Sequence, residues 1–257
     1  MLNNKRQQRI FDELNDKEIV NVADLSEQFH ASTMTIRRDL KYLEDMGIAR
    51  RVHGGAVLIK PDITLPPFTE RFDKCQQEKD SIAKAAMKLI RPDSVICLDA
   101  GTTSMAITDH IPEDIQLTII SSGIKTTAAL CRFRNLDIIQ VGGLVHHSSF
   151  TVCGVSLASD FISKFNADIA FISTRAIRPD AGTFESAMSL VDEKQAFAAI
   201  AKKVVVLADY TKFEGTSLLK ALPLKDIDVV ITDNKAPSDS IRQLREAGIE
   251  VIIAVPE

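Results

Sequence analysis

The chain has 257 residues, of which 45% are hydrophobic and 26% charged, with a formal net charge of −4. That length suits one small domain plus one of about 190 residues, large enough for a proper core. An acidic total argues against a surface that is basic throughout, no apolar run approaches a membrane span, and the opening MLNNKRQQRIFDEL reads as an amphipathic helix, not a signal peptide.

The charge is unevenly distributed. Residues 1–60 carry ten Lys/Arg against nine Asp/Glu, whereas the remainder carries 21 against 26. Local clustering, not the total, governs affinity for phosphate. After the first helix, Asn21 is placed to cap a second, with Asp24 at its third position and Val22, Leu25 and Phe29 at helical spacing. His30-Ala31 breaks that pattern. Ser32 then caps a third helix running to about Met46 and stopped by Gly47. On it Ile36, Leu40 and Leu43 share one face, while Met34, Arg37, Arg38 and Lys41 fall on the opposite arc at about 100° per residue. Ile48–Val52 and Ala56–Ile59 are β-prone runs around His53-Gly54-Gly55, which suits a tight hairpin.

This order is that of a winged helix-turn-helix, and it predicts binding to duplex DNA. The third helix presents Ser32, Met34, Thr35, Arg37, Arg38 and Lys41 to a major groove, and the wing presents Arg50, Arg51 and His53 to the phosphate backbone. A bare Arg-Arg pair is usually just solvated surface. Here it follows a cap, lies on the second helix of a helix-turn-helix and precedes a basic hairpin.

Pro61–Pro67 carries three prolines in seven residues and reads as a linker. The expected division is a DNA-binding domain over 1–60, a linker over 61–73 and an α/β domain over 74–257. In the last, Ser94–Leu98, Leu117–Ile120, Ile138–Val141, Ile169–Ile172, Val204–Ala208, Val229–Thr232 and Val251–Ala254 read as buried strands. Helical patterns at Glu78–Ile90, Ile124–Leu130, Val155–Lys164, Val191–Ala201 and Ser238–Ala247 alternate with them. Such alternation predicts a mainly parallel sheet with helices on both faces and a ligand at the carboxyl ends of the strands.

The residues after those strands are small and polar. Asp99-Ala100-Gly101-Thr102-Thr103-Ser104 opens a helix, Ser121-Ser122-Gly123 and Gly142-Gly143 follow the next two strands, and Asp209-Tyr210-Thr211-Lys212 brings a cation to the same edge. Glycine lets backbone approach a ligand, and hydroxyls, helix N–H groups and a lysine suit an anion, most simply a phosphate. Cys75, Cys97, Cys131 and Cys153 show no CxxC pairing, and fit buried or idle thiols of a reducing cytoplasm. His146-His147 lacks a third ligand nearby, so neither metal nor cofactor is expected.

The run LSEQF-HASTMTIRRDLKYLEDMGIARRVHGGA resembles the DeoR family of bacterial repressors, in its Thr35–Leu40 TIRRDL helix and its His53–Ala56 HGGA wing. DAGTT, Gly142-Gly143, the helix around Glu193-Lys194 and DYTKF resemble the sensor domain of that family, which is related to ribose-5-phosphate isomerase and commonly binds a phosphorylated sugar. The resemblance implies a pocket of Asp99, Gly101, Thr102, Thr103, Gly142, Gly143, Lys194 and Lys212. Two departures occur: Ser121-Ser122 stands where many relatives have Thr-Asn, and Ser173-Thr174-Arg175-Ala176 where Gly-rich sequence is usual, which adds Arg175 as a candidate contact. An isomerase would need a general base. The acidic segment of ribose-5-phosphate isomerases falls on Ser173, Ala176 and Ile177, none of which can serve, so catalysis is not expected. A scaffold protein would not need the Gly/Thr rim. The expectation is a repressor of a carbohydrate-use operon, a homodimer or homotetramer assembled through the larger domain, with the Pro-rich linker and the helix from about Lys74 to Ile90 as transmission elements.

Overall fold

The computed structural model describes residues 5–17, 19–45, 49–52, 54–58, 66–146, 149–153, 155–215 and 217–255. They fall into two compact units, Met1–Pro61 and Asp62–Glu257.

Apolar residues at helical spacing organise the first unit, which runs α1 (Lys5–Lys17), β1 (Ile19–Asn21), α2 (Val22–Gln28), α3 (Thr33–Asp45), β2 (Ala49–Val52) and β3 (Gly55–Leu58). Ile10 and Leu14 of α1, Leu25 of α2 and Ile36, Leu40 and Leu43 of α3 meet in one core, each at most 1% exposed. Truncating any of them to alanine removes about 2–5 kcal/mol. Asn21 Oδ1 accepts from Ala23 N at 2.8 Å, and Ser32 Oγ accepts from Thr35 N at 3.2 Å, so both expected caps form. His30, with φ of 48°, makes the left-handed reversal between α2 and α3. The wing strands pair antiparallel, Arg51 opposite Ala56, and β1 adds a third strand that the sequence pattern did not reveal, in the order β1-β3-β2. Gly54 takes a φ of 82° at the wing turn. Gly55 has a different reason to lack a side chain: a Cβ there would stand 2.0 Å from the Val20 carbonyl oxygen. Met46–Ile48, His53 and Ile59 lie outside the described residues.

The second unit begins with a correction. Residues 61–65 lie outside the described residues, but 68–73, expected as open linker, form helix α4 (Phe68–Asp73). Phe68 anchors it by burial, at 6% exposure. There follow α5 (Gln76–Met87), β4 (Val95–Leu98), α6 (Thr102–Ala106), β5 (Leu117–Ser121), α7 (Ile124–Leu130), β6 (Leu136–Gln140), β7 (Leu144–His146), β8 (Thr151–Cys153), α8 (Val155–Ile162) and β9 (Ala167–Ser173). The chain continues through β10 (Ala176–Arg178), β11 (Gly182–Glu185), α9 (Met188–Ile200), β12 (Ala201–Leu207), β13 (Leu219–Lys220), β14 (Val229–Asp233), α10 (Ser238–Glu246) and β15 (Glu250–Ala254).

All seven expected strands join one sheet in the order β15-β14-β12-β9-β4-β5-β6, and every pairing in it is parallel. Side chains alternate between its faces. Ile169, Phe171, Val205 and Leu207 pack with α5 and α7. Ala170, Ile172, Val204 and Val206 pack with α8, α9 and α10 through Ile162, Phe197, Ile241 and Leu244. Burial on both faces explains why the strands read as continuous apolar runs. Two small antiparallel sheets, β7-β8 and β10-β11-β13, are additions. They are too short to announce themselves by periodicity.

The topology fixes where a ligand can enter. From β4 the chain moves outward through β5 and β6, and then returns with β9 on the other side of β4. The loops leaving β4 and β9 therefore diverge. That switch point, at the carboxyl ends of the strands, is where open α/β sheets open a crevice.

Candidate functional site

On α3 the sequence motif divides residue by residue. Ile36 and Leu40 enter the core, while Arg37, Arg38 and Lys41 are exposed and Met34 is 76% exposed. Ser32 is exposed and Thr35 half-buried, and their hydroxyls stand 2.9 Å apart at the start of the helix. Asp39 goes the other way. It is buried, taking Arg6 Nε at 2.5 Å and Gln7 Nε2 at 3.0 Å, and so pins α3 to α1. The motif thus supplies core, outward cations and an internal strap within six residues. Arg51 on the wing is paired with Glu44 of α3, side chain to side chain at 2.7 Å and through its backbone N–H at 3.0 Å. It fixes the hairpin against the helix as well as carrying charge. Arg50 has a described backbone, but its side chain and all of His53 lie outside the described residues.

At the sheet edge the most ligand-like side chains are tied to one another. Asp99, at the tip of β4, is fully buried. Its Oδ1 accepts from Gly101 N at 3.1 Å and from Ser104 Oγ, and its Oδ2 accepts from Ser173 N at 3.0 Å and from Lys194 Nζ. Lys194 also donates to Ser173 O at 2.8 Å and faces Glu185 Oε1 at 3.4 Å. An ammonium has three protons, and three acceptors surround it. Burial works against that charge, but Asp99, Glu185 and Glu193 outweigh it and hold Lys194 well above the ordinary lysine range. Burial alone would raise the Asp99 carboxyl, yet Lys194 and the hydrogen bonds bring it below its usual value. Asp99 and Lys194, expected as ligands, therefore clamp β4, β9 and α9 together at the switch point.

The glycine and serines differ from expectation in the same way. A Cβ on Gly101 would stand 2.0 Å from Ser173 Oγ, so here glycine admits Ser173 rather than a ligand. Ser121 Oγ accepts from Gly123 N at 3.1 Å, and Ser122 Oγ donates to Glu193 Oε1. The other Glu193 oxygen, Oε2, is buried without a partner among the described residues. Burial pushes that carboxyl up to about 7, with Lys194 opposing.

The remaining candidates stay closer to solvent or lack internal bonds. Gly142 and Gly143 are exposed after β6. Thr102 and Thr103 begin α6, and their hydroxyls make no hydrogen bond among the described residues. Lys212 sits 3.6 Å from Asp209 Oδ2 with its side chain 22% exposed. Arg175 is half-buried, and its backbone N–H donates to Glu185 Oε1 at 3.1 Å. Three further groups were not anticipated: Glu185 on the short strand β11, the orphan oxygen of Glu193, and Arg71 on α4. The Arg71 guanidinium is depressed by burial and feels the opposing charges of Glu185 and Asp99. A basic residue between a proline-rich stretch and a helix was the available signal for it.

Among the described residues no helix is long and apolar enough to cross a membrane. A profile of the DeoR-like helix-turn-helix domain matches residues 6–62, and one of the DeoR C terminal sensor domain matches residues 74–234. The HTH-type transcriptional regulator GolR of Listeria innocua serovar 6a is 33% identical over 250 residues, 97% of this chain and 98% of that protein. The transcriptional repressor AccR of Agrobacterium fabrum is 31% identical, the match spanning 89% of each. Among solved structures, the full-length sorbitol operon regulator SorC from Klebsiella pneumoniae aligns at a TM-score of 0.40 and 13% identity, over 92% of this chain and 98% of that one. With a winged helix-turn-helix followed by the sensor domain over most of its length, the chain belongs to the DeoR family of DNA-binding transcriptional regulators, and it is a regulator rather than an enzyme.

Proposed function

We propose that this regulator represses a carbohydrate-metabolism operon and that a phosphorylated sugar, bound at the carboxyl edge of the parallel sheet, controls its hold on the operator. The observation that carries the reading is the meeting of cations and unbonded hydroxyls at the switch-point rim, with Arg175 and Lys212 on one side and Thr102 and Thr103 on the other. A phosphate needs charge-assisted donors, and these residue types supply them. The exposed Gly142-Gly143 segment leaves room for the sugar. Asp99 and Lys194 hold the edge in shape and are not assigned direct contact.

On the DNA side, α3 enters the major groove, with Met34, Arg37, Arg38 and Lys41 toward the bases and Ser32 and Thr35 toward the backbone; Arg50, Arg51 and His53 of the wing meet phosphates. One such helix reads few base pairs, so two copies joined through the sensor domain, as a homodimer or a homotetramer, grip half-sites about one helical turn apart or a multiple of it. The effector changes operator affinity only through its different affinity for the two states of the sensor.

Thr102→Glu tests the pocket. A carboxylate there repels a phosphate, so thermal shifts with sugar phosphates vanish while operator binding persists. A ligand at 100 times its dissociation constant adds about 2.7 kcal/mol to the wild-type fold. An undiminished shift in Thr102→Glu overturns the assignment of this rim.

A further inference from the structure

We propose that Arg71 of α4 is an effector-contacting residue that holds the ligand's anionic group and reports its presence to the chain leading to the DNA-binding unit. The inference rests on the proposed phosphate site at the same sheet edge and adds to it both a ligand and a route.

The geometry of α4 carries it. Arg71 Nη2 is buried and has no hydrogen-bond partner among the described residues. A sealed guanidinium N–H without an acceptor is costly, and such groups call for an explanation. The other constraints on the side chain are met: Nε donates to Pro66 O at 3.0 Å, and Cζ lies 5.6 Å from the centre of the Phe68 ring. With Nε engaged, the Nη1–Nη2 edge remains, and that planar edge matches two oxygens of a phosphate. The charges that act on Arg71 are Glu185 and Asp99, the acidic members of the switch-point network. Arg71 thus lies within electrostatic reach of the loops after β4 and β9 while belonging to neither.

The rest of α4 is held firmly. Lys79 of α5 donates to three carbonyls at the carboxyl end of α4, those of Arg71, Phe72 and Lys74. Phe68 packs edge-on against Phe150 with ring centres 5.8 Å apart, and the Phe150 carbonyl accepts from Ile124 N at 3.0 Å at the start of α7. An anion drawn to Arg71 therefore acts on a braced helix whose other tie is Pro66, on the linker side. Effector occupancy is in this way communicated to the residues that precede α4.

The test uses the full chain, Arg71→Gln and Arg71→Lys, with inorganic phosphate, glycerol 3-phosphate, ribose 5-phosphate and glucose 6-phosphate as probes. Wild type should gain melting temperature with at least one of them. Both variants should melt within about 2 °C of ligand-free wild type, since an unpaired group is lost. They should retain operator binding and bind that phosphate at least tenfold more weakly, the loss of about 1.4 kcal/mol that such a factor represents. Lysine should not rescue, because it lacks the planar edge. Hydrogen exchange on wild type supplies a measurement independent of any variant: amides 68–73 should gain protection when the phosphate binds. Variants that bind phosphate as wild type does, or that melt far below it without ligand, overturn the role of Arg71 and leave the pocket standing. If wild type itself responds to none of the four, the phosphate reading fails and Arg71 falls with it.

Discussion

Arg37 and Arg38 stand on the reverse of an apolar helix face and meet solvent, whereas Asp99 and Lys194, no less charged, are sealed together at the tips of β4 and α9. Both sets are polar residues at positions where function is expected, and their surroundings give them opposite tasks. A helix on the outside of a small domain cannot enclose its cations, so they remain available to a partner. A sheet covered on both faces has an edge crowded by loops, and a charge arriving there must find internal partners or disturb the fold. Residue type and position therefore mark interaction directly on α3, but at the sheet edge they mark it only after the internal bonds have been assigned.

The sharpest way to break the contrast is Lys194→Ala. It leaves Asp99 and Glu185 buried together without their cation, and the sensor-domain transition in urea should lose about 3–5 kcal/mol. A loss below about 1 kcal/mol, with effector binding abolished, would make Lys194 a ligand rather than a clamp. Next in size, Arg37→Ala or Arg38→Ala should leave folding intact and weaken operator binding by about 1–3 kcal/mol wherever that arginine is bidentate to guanine. Unchanged gel shifts for both would remove α3 from the groove.

Glu193→Gln refines the sheet-edge side. Burial raises the Glu193 carboxyl from 4.5 to about 7 in the fold. The folded state thus binds that proton more tightly than the unfolded chain, and the resulting stability is fully present below about 4.5 and lost as pH rises through about 7. Melting temperature in wild type should decline across that interval, and the decline should be shallower in Glu193→Gln. Parallel curves would mean that Glu193 ionises without cost.

Much of this architecture was legible because periodicity reports burial. Ile36, Leu40 and Leu43 are three points on one helix face, and the seven apolar runs became the seven strands because both sheet faces are covered. What escaped was long-range pairing. Lys194 meets Asp99 across 95 positions of chain, and nothing in either residue's neighbourhood announces the other. Glu185, which completes that group, lies on a four-residue strand without a repeat. Arg71 was obscured by three nearby prolines, which signalled a linker where a helix resumes at Phe68. The motif of α3 likewise hid Asp39, whose partners Arg6 and Gln7 come from α1.

The central claim is that a ligand at the sheet edge governs the grip of α3 on DNA. It is tested most directly by titrating wild type and Thr102→Glu against a duplex selected from a random pool, with and without each sugar phosphate, and following fluorescence anisotropy. At least one sugar phosphate should change the operator affinity of wild type by about 5-fold or more, corresponding to a coupling of about 1 kcal/mol, and leave Thr102→Glu unmoved. Identical binding curves for wild type under every phosphate, or an equal response in Thr102→Glu, would contradict it.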